Sequence, residues 1–330
     1  MADNALKFQN LPEDILFNVL SYLSAKDLCR LSCANNRFYA ISNDEYFWRR
    51  KLLVDSKYWK SLGSDANPEL YISRYPNQMP SKEIYLRCCP DVQDYFMIFN
   101  SFSFNDVFIR LKSLFYKVVP KIALIGPGLE SDTSCFVKNI MRDSSINPLK
   151  FVKMFPGYAG GIGSGFTFEL KNSSNPYNKQ FDLSIIYSST ETERTESVKT
   201  TNRMQNNKLF QSSSSDVLKL TSQASDFFLS MDALVYVVDA NVERLSFWEL
   251  AKIELYSITQ HMWVKPHIPI LVLSLALNEF QPRKFSCISV IKFLDMNNLN
   301  GKWQVINSTV MDMAKVDEAF NWVLNNCNKK

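Results

Sequence analysis

The chain has 330 residues, of which 46% are apolar and 21% charged. That length suits about two domains of ~150 residues, and the apolar fraction supplies a real core, which excludes wholesale disorder. Lys and Arg number 37 against 33 Asp and Glu, a net +4 with no dense basic cluster, so a dedicated nucleic-acid role is not expected. A bilayer span needs about 18–20 apolar residues. The longest candidate here, Ile268 to Leu277, is half that and contains Ser274. Met1 to Asn10 has no apolar stretch of signal-peptide type. The expectation is a soluble chain of the cytoplasm, with the nucleus as the alternative, and no membrane partner.

The seven cysteines are odd in number and scattered, which fits free thiols better than a disulfide framework. Cys29 and Cys33 lie four apart but have no histidine near them, so they read as buried small hydrophobes and not as zinc ligands. Adjacent Cys88 and Cys89 read as one core and one surface thiol. The two histidines, His261 and His267, have no context that suggests a general base. No catalytic residue, metal site or cofactor is expected.

Residues 9–53 read as a set of short helices. Leu11-Pro12-Glu13-Asp14 is a helix start, with proline at the first position and acids at the positive end of the dipole. Ile15, Leu16, Val19, Leu20 and Leu23 follow at helical spacing. Ser24 caps a second helix carrying Leu28 and Leu31, with Asp27 in the acidic role of a capping box. Asn35-Asn36 stops it. Phe38 and Ile41 mark a third helix, and Asn43-Asp44 cap a fourth that holds Tyr46, Phe47, Trp48, Leu52 and Leu53. About 45 residues rarely bury this many large apolar groups among themselves. The surplus faces either a partner or the rest of the chain.

These residues resemble the F-box family. Leu11-Pro12-x-x-Ile15-Leu16-x-x-Val19-Leu20-Ser21-Tyr22-Leu23-Ser24-x-x-Asp27-Leu28-x-x-Leu31-Ser32 follows its motif, with Asp14 in place of the usual Glu, and Phe47-Trp48-Arg49 fits its end. The resemblance implies docking on the Skp adaptor of a cullin-RING (SCF) ubiquitin ligase. It makes Leu11, Pro12, Ile15, Leu16, Leu20, Leu23, Leu28 and Leu31 candidate adaptor contacts or supports, without saying which face the partner.

Residues 54–82 carry turn and breaker signals, among them Gly63, Asn67-Pro68 and Pro76-Asn77, so at most short helices are expected there. Trp59, Leu70, Tyr71 and Ile72 suggest a connector that packs. Glu83 to Cys89 reads as a helix, and a second one begins at Ser103 or Asn105 and carries Val107, Phe108, Leu111, Leu114, Phe115 and Val118. Residues 54–119 are thus taken as a helical linker.

From residue 120 strands and helices alternate. Strands are expected at Lys121 to Gly126, Phe166 to Leu170, Phe181 to Tyr187, Ala233 to Val238, Ile268 to Leu275 and Trp303 to Ile306. Helices are expected at Asp132 to Arg142, Phe247 to Trp263, Cys287 to Leu294 and Val316 to Asn325. Buried strands separated by helices predict an α/β domain with a mostly parallel sheet and right-handed crossovers.

The turn after the first strand invites a nucleotide reading. Laid on the phosphate-loop pattern G-x-x-x-x-G-K-[ST], Gly126 fits the first glycine and Thr133 the hydroxyl, but Ser131 and Asp132 stand at the glycine and lysine. One charge pair at about 4 Å is worth roughly 4 kcal/mol at an effective dielectric near 20, so the sign reversal at Asp132 swings the balance by up to about 8 kcal/mol. The order of elements resembles a Ras-like small GTPase domain, yet Tyr187-Ser188-Ser189-Thr190 and Leu275-Ala276-Leu277-Asn278 lack that family's metal and guanine-reading residues. Gly157 to Gly165 holds no G-x-G-x-x-G and reads as a flexible entry into a strand, and Ser188 to Ser215 reads as a mobile loop.

Arg87-Cys88-Cys89-Pro90, Ile125-Gly126-Pro127-Gly128-Leu129-Glu130 and Gly161-Ile162-Gly163-Ser164-Gly165 strengthen a resemblance, over roughly residues 10–326, to F-box proteins that carry a degenerate Ras-like domain. That resemblance implies a non-catalytic substrate receptor of an SCF ligase, with the F-box at 9–53 and a substrate-docking domain at 120–330. It implies protein substrates of the telomere-binding or D-type cyclin class, delivered to ubiquitination and the proteasome. Only about ten residues precede the F-box here, so dimerisation through a longer leading segment is left open. The competing readings are a divergent NTPase and a scaffold outside a ligase. In the resembled fold the strand after the first helix is the sheet edge. Substrate docking is therefore expected on Phe166, Thr167, Phe168, Glu169 and Leu170, one row facing the core and the other solvent.

Overall fold

The computed structural model describes residues 11–75, 78–93, 119–142, 144–155, 164–171, 180–187, 207, 209–211, 219–262, 268–280 and 282–327. The helix expected within 103–118, the glycines from 157 to 163, most of the polar stretch 188–215 and His267 lie outside the described residues. The chain divides into two compact units. One comprises Met1–Trp59 with Ala66–Phe102, the other Lys60–Asp65 with Ser103–Lys330.

The first unit begins with α1 (Glu13–Ser21), α2 (Ala25–Leu31), α3 (Asn36–Ile41) and α4 (Glu45–Asp55). Each of the last three starts on a polar cap. The side chains of Ser24, Asn35 and Asp44 accept from the amides of Asp27, Phe38 and Phe47. The Ser24 hydroxyl also donates to Asp27 (2.7 Å), which gives the acid its capping-box role. Asn35 is thus a start signal for α3 more than a stop for α2. After α5 (Pro68–Arg74), α6 (Ser81–Cys88) completes the unit. The Glu45 carboxylate accepts from the amide and hydroxyl of Ser81, which ties α6 to the start of α4.

The core of this unit is Leu16, Leu20, Leu28, Phe38, Ile41, Phe47, Trp48, Leu52, Trp59, Ile84 and Tyr85. Trp48 is fully buried, and its indole donates to the Ser42 carbonyl (2.7 Å), so its polar atom is satisfied. Cys88 and Cys89 are both buried, against the expectation of one core and one surface thiol. Cys89 ends α6 in an extended conformation (φ −65°, ψ 119°), so the chain turns there and both side chains point inward. Burial pushes the Cys88 thiol up to about 12. Cys29 is only half-buried and Cys33 is exposed, so neither is the core residue expected.

The second unit is an α/β domain. Its strands are β1 (Ser61–Gly63), β2 (Lys121–Ile125), β3 (Leu149–Phe155), β4 (Ser164–Leu170), β5 (Gln180–Ile185), β6 (Phe210–Gln211), β7 (Lys219–Leu220), β8 (Ala233–Asp239), β9 (Ile270–Ala276) and β10 (Trp303–Thr309). Its helices are α7 (Cys135–Met141), α8 (Ser222–Leu229), α9 (Leu245–Met262), α10 (Cys287–Phe293) and α11 (Val316–Cys327). Eight strands form one sheet in the order β1-β10-β9-β8-β2-β5-β4-β3, and β6 pairs with β7 apart from it. β10, β9, β8, β2 and β5 run parallel, while β1, β4 and β3 are antiparallel to their neighbours. The arrangement is consistent with a Ras-like fold extended by one strand at each edge. Every position of β8 and β9 is buried, as a sheet covered on both faces requires. Phe181 and Phe320 stack at 5.0 Å on one face, where Phe136, Leu183 and Val323 complete the core.

Two strands of the large sheet were not legible in the sequence. β1 comes from the connector and pairs with β10. β3 pairs outside β4, with its register broken between Phe151 and Lys153. That bulge interrupts the alternation of apolar and basic residues that would otherwise mark a strand.

The backbone sits closest where β2 ends. Gly126 adopts φ +136°, and a Cβ there would collide with the Val237 backbone of β8. A left-handed conformation costs an L-residue roughly 1–2 kcal/mol before any clash. Gly126→Ala is therefore expected to lower stability by at least about 2 kcal/mol in denaturant titration of the full chain. At Gly63 a Cβ would meet nothing nearer than 3.4 Å, so Gly63→Ala is the matched control that leaves the midpoint nearly unchanged.

Candidate functional site

The eight candidate adaptor residues do not share one surface. Leu16, Leu20 and Leu28 are fully buried inside the helical unit and act as supports. Leu11, Leu23 and Leu31 are half-buried, while Pro12 and Ile15 are exposed. α1 therefore presents two apolar faces. Positions 16, 20 and 23 face inward. Positions 12, 15, 19 and 22 repeat at intervals of three and four on the outer face, where Ile15 is 48%, Val19 41% and Tyr22 89% exposed. Val19 and Tyr22 were not among the expected residues, although their three-four spacing was readable in the sequence.

The end of α1 is held from below. Lys51 of α4 is buried, and its ammonium donates to the Ser21 carbonyl (2.9 Å) and pairs with Asp55 (2.9 Å). A cation here satisfies an end-of-helix carbonyl and the negative end of the helix dipole. Asp55 also accepts from the Tyr85 hydroxyl (2.7 Å), and burial, with that bond to Asp55, pushes the Tyr85 phenol far up. A groove of 1590 Å³ opens above this network, with Phe17 and Tyr22 of α1, Phe47 of α4 and Tyr85 of α6 among its walls.

In the second unit, the turn after β2 folds into two 3₁₀ turns, Pro127–Leu129 and Asp132–Ser134. A phosphate cradle needs backbone amides aimed outward. Here Leu129 donates to Gly126 O, Glu130 to Pro127 O and Ser134 to Ser131 O, and Pro127 has no amide to offer. The Thr133 hydroxyl, which fits the hydroxyl position of the phosphate-loop pattern, donates to Gly128 O (2.7 Å) and is buried. Gly128 rests against β8, where a Cβ would lie 2.9 Å from Val237 Cγ1.

Asp239 at the end of β8 is buried and accepts from Ser131 Oγ (3.0 Å) and the Asn241 amide (2.9 Å). Burial pushes its carboxyl up. Arg283 bridges β9 and β10, donating to the carbonyls of Ser274 and Ser308 (both 2.7 Å). Its own desolvation lowers its pKa, and the nearby Asp239 opposes that. The carboxyl ends of the central strands, where open α/β sheets take their ligands, are thus occupied by the protein's own groups.

The expected docking strand is a correction. β4 is not an edge, since β3 covers it. Phe166, Phe168 and Leu170 face the core, and Thr167 on the opposite row is also buried, donating to Asp182 (2.6 Å). Glu169 is half-buried. Among the described residues the outermost strand on this side is β3, where Phe151, Val152 and Met154 are exposed.

Comparison with known proteins matches the helical segment to a family. Residues 8–54 match the F-box-like family, and that match contains α1 to α4 up to Val54. The chain is similar along its whole length to F-box only protein 4. It shares 25% identity with the Mus musculus protein over 100% of this chain and 86% of that protein. With the Homo sapiens protein it shares 25% over 97% of this chain and 84% of that one. Over 41 residues, 12% of the chain, it is 44% identical to F-box only protein 15 of Bos taurus. Among the described residues no helix is long and apolar enough to cross a membrane.

Arg283→Met would leave the carbonyls of Ser274 and Ser308 without their donor and Asp239 without its nearby cation. A loss of about 1–3 kcal/mol in chemical denaturation is the expected result.

Proposed function

We propose that the chain is the substrate-recognition subunit of an SCF ubiquitin ligase. The F-box-like match and the full-length similarity support that role. In it, residues 9–53 dock the Skp adaptor, 54–119 link, and 120–330 capture substrate without catalysing a reaction. The exposed stripe of Pro12, Ile15, Val19 and Tyr22 on α1 carries this reading. It is apolar, contiguous and built on a helix whose other face is anchored in a core. Leu11, Leu23 and Leu31 line its margins, while Leu16, Leu20 and Leu28 hold it in shape. By resemblance the substrates are proteins of the telomere-binding or D-type cyclin class. The divergent NTPase reading has less support, because the amides of Leu129, Glu130 and Ser134 and the Thr133 hydroxyl bond within the loop and Asp132 stands where a lysine is required.

Ile15→Asp with Val19→Asp alters only exposed positions, so the helical unit is expected to stay folded. Loss of a hot-spot contact costs about 2 kcal/mol or more, so adaptor affinity should fall at least ~30-fold by calorimetry. Leu20→Asp would instead unfold the unit and tests nothing about the interface. Unchanged affinity in the folded double variant would overturn the adaptor assignment. Co-purification of a cullin under proteasome inhibition separates the ligase subunit from a scaffold outside a ligase.

Substrate docking is reassigned to the open edge strand β3. Unpaired amides and carbonyls there can template a partner strand, and Lys at edge positions blocks such pairing. Val152→Lys with Met154→Lys is expected to cut the yield of ubiquitinated proteins in the same purification while leaving adaptor and cullin recovery unchanged. Undiminished yield would place docking elsewhere.

A further inference from the structure

The carboxyl end of the sheet carries a second surface that the receptor reading does not use. The loop after β9 presents Phe280, 96% exposed, and the loop after β10 presents Met311, 57% exposed. The two loops are joined by hydrogen bonds at Leu277 and Met311, and Arg283 anchors the end of the first. The Met311 amide donates to Leu277 O (3.0 Å), so the two loops are hydrogen-bonded neighbours. Arg283 bridges the strand ends beneath them through Ser274 O and Ser308 O. The second loop is fixed further by Ser308 Oγ donating to Ala314 O (2.8 Å) and by the Ala314 amide donating to Thr309 Oγ1 (3.2 Å). It holds Met313 and Lys315 at φ 52° and 61°, a left-handed conformation that persists only where surrounding contacts over-determine it.

Each exposed apolar residue has an acid beside it, Glu279 next to Phe280 and Asp312 next to Met311. Both acids are exposed, and neither has an ion-pair partner among the described residues. Nearby bases are committed elsewhere. Lys284 pairs with Glu243 (2.6 Å) and Lys315 with Glu318 (2.6 Å). Of the exposed charges in the loops after β2, β8, β9 and β10 that lack an ion pair, Asp132, Glu279 and Asp312 are acidic and Arg244 is basic. Among the described residues, the unpaired exposed charge in these loops is therefore acidic, although the chain as a whole is +4. It disfavours a phosphate and favours a cation.

We infer that this end of the domain is a docking surface for a Lys- or Arg-bearing protein segment, its apolar part lying on Phe280 and Met311 and its cations on Glu279 and Asp312. An Arg guanidinium can stack on the exposed Phe280 ring while pairing with the neighbouring carboxylate. Loops that are already rigid lose little freedom on binding, which is how a small patch gains affinity. The surface is separate from α1 and from β3, so it stands or falls independently of the receptor reading.

The test uses the full chain and two fluorescent peptide sets of defined sequence. In one set an aliphatic or aromatic anchor is flanked by Lys and Arg, and in the other the same anchor is flanked by Asp and Glu. Members of the basic set are expected to bind at least about tenfold more tightly in fluorescence polarisation, with affinity falling as salt is raised. Phe280→Ser with Met311→Ser, and separately Glu279→Lys with Asp312→Lys, should each weaken that binding about tenfold or more. All four positions are exposed, and an unchanged melting temperature confirms the fold. The inference is overturned if the basic set binds no better than the acidic one. It is overturned equally if either folded double variant retains wild-type affinity.

Discussion

The close approach of the turn after β2 to the backbone of β8 governs what the second unit can do. Gly126 and Gly128 lie against Val237 with no room for a side chain. Once the backbone sits that close, its amides turn inward onto Gly126 O, Pro127 O and Ser131 O. The Thr133 hydroxyl turns inward in the same way, onto Gly128 O. Asp239 and Arg283 then settle at the ends of β8, β9 and β10, each in a satisfied but desolvated place. Among the described residues, the carboxyl ends of these strands thus carry polar groups that bond to one another and to the strands themselves.

The helical unit solves a different problem. A short helical segment has too little interior for all of its large apolar residues. α1 divides them, burying Leu16 and Leu20 and leaving Ile15, Val19 and Tyr22 outside. The buried Lys51 makes this division firm, since it ties the end of α1 to α4 through Ser21 O and Asp55. A polar anchor of this kind fixes one arrangement where packing alone would tolerate several, which is what a surface offered to a partner requires.

The two edges of the large sheet differ in the same spirit. β1 is three residues long and caps one side with little ladder left to offer. β3 is seven residues long and bulged, and its exposed positions mix Lys150 and Lys153 with Phe151, Val152 and Met154. A long edge with lysines is both available for pairing and guarded against indiscriminate pairing.

Much of this was legible in the residues themselves. The caps at Ser24 and Asp44, the six inner strands and the helices that alternate with them follow from local spacing and capping, because those signals act within a few residues. The loss of lysine at position 132 is likewise a local fact. What depended on tertiary structure was everything decided by a neighbour distant in sequence. β3 is a strand because β4 offers it a ladder, and its bulge hides the alternation that would have announced it. That single extra strand moves the sheet edge away from Phe166, Thr167, Phe168, Glu169 and Leu170. β1 is a strand only because β10 lies beside it. The same holds in the first unit. The motif resemblance groups eight residues, six leucines with Pro12 and Ile15, but only the packing of the helical unit determines that Leu16, Leu20 and Leu28 turn inward while Ile15 stays outside. A side chain's identity is written in the sequence; the face it occupies is set by what the rest of the chain places against it.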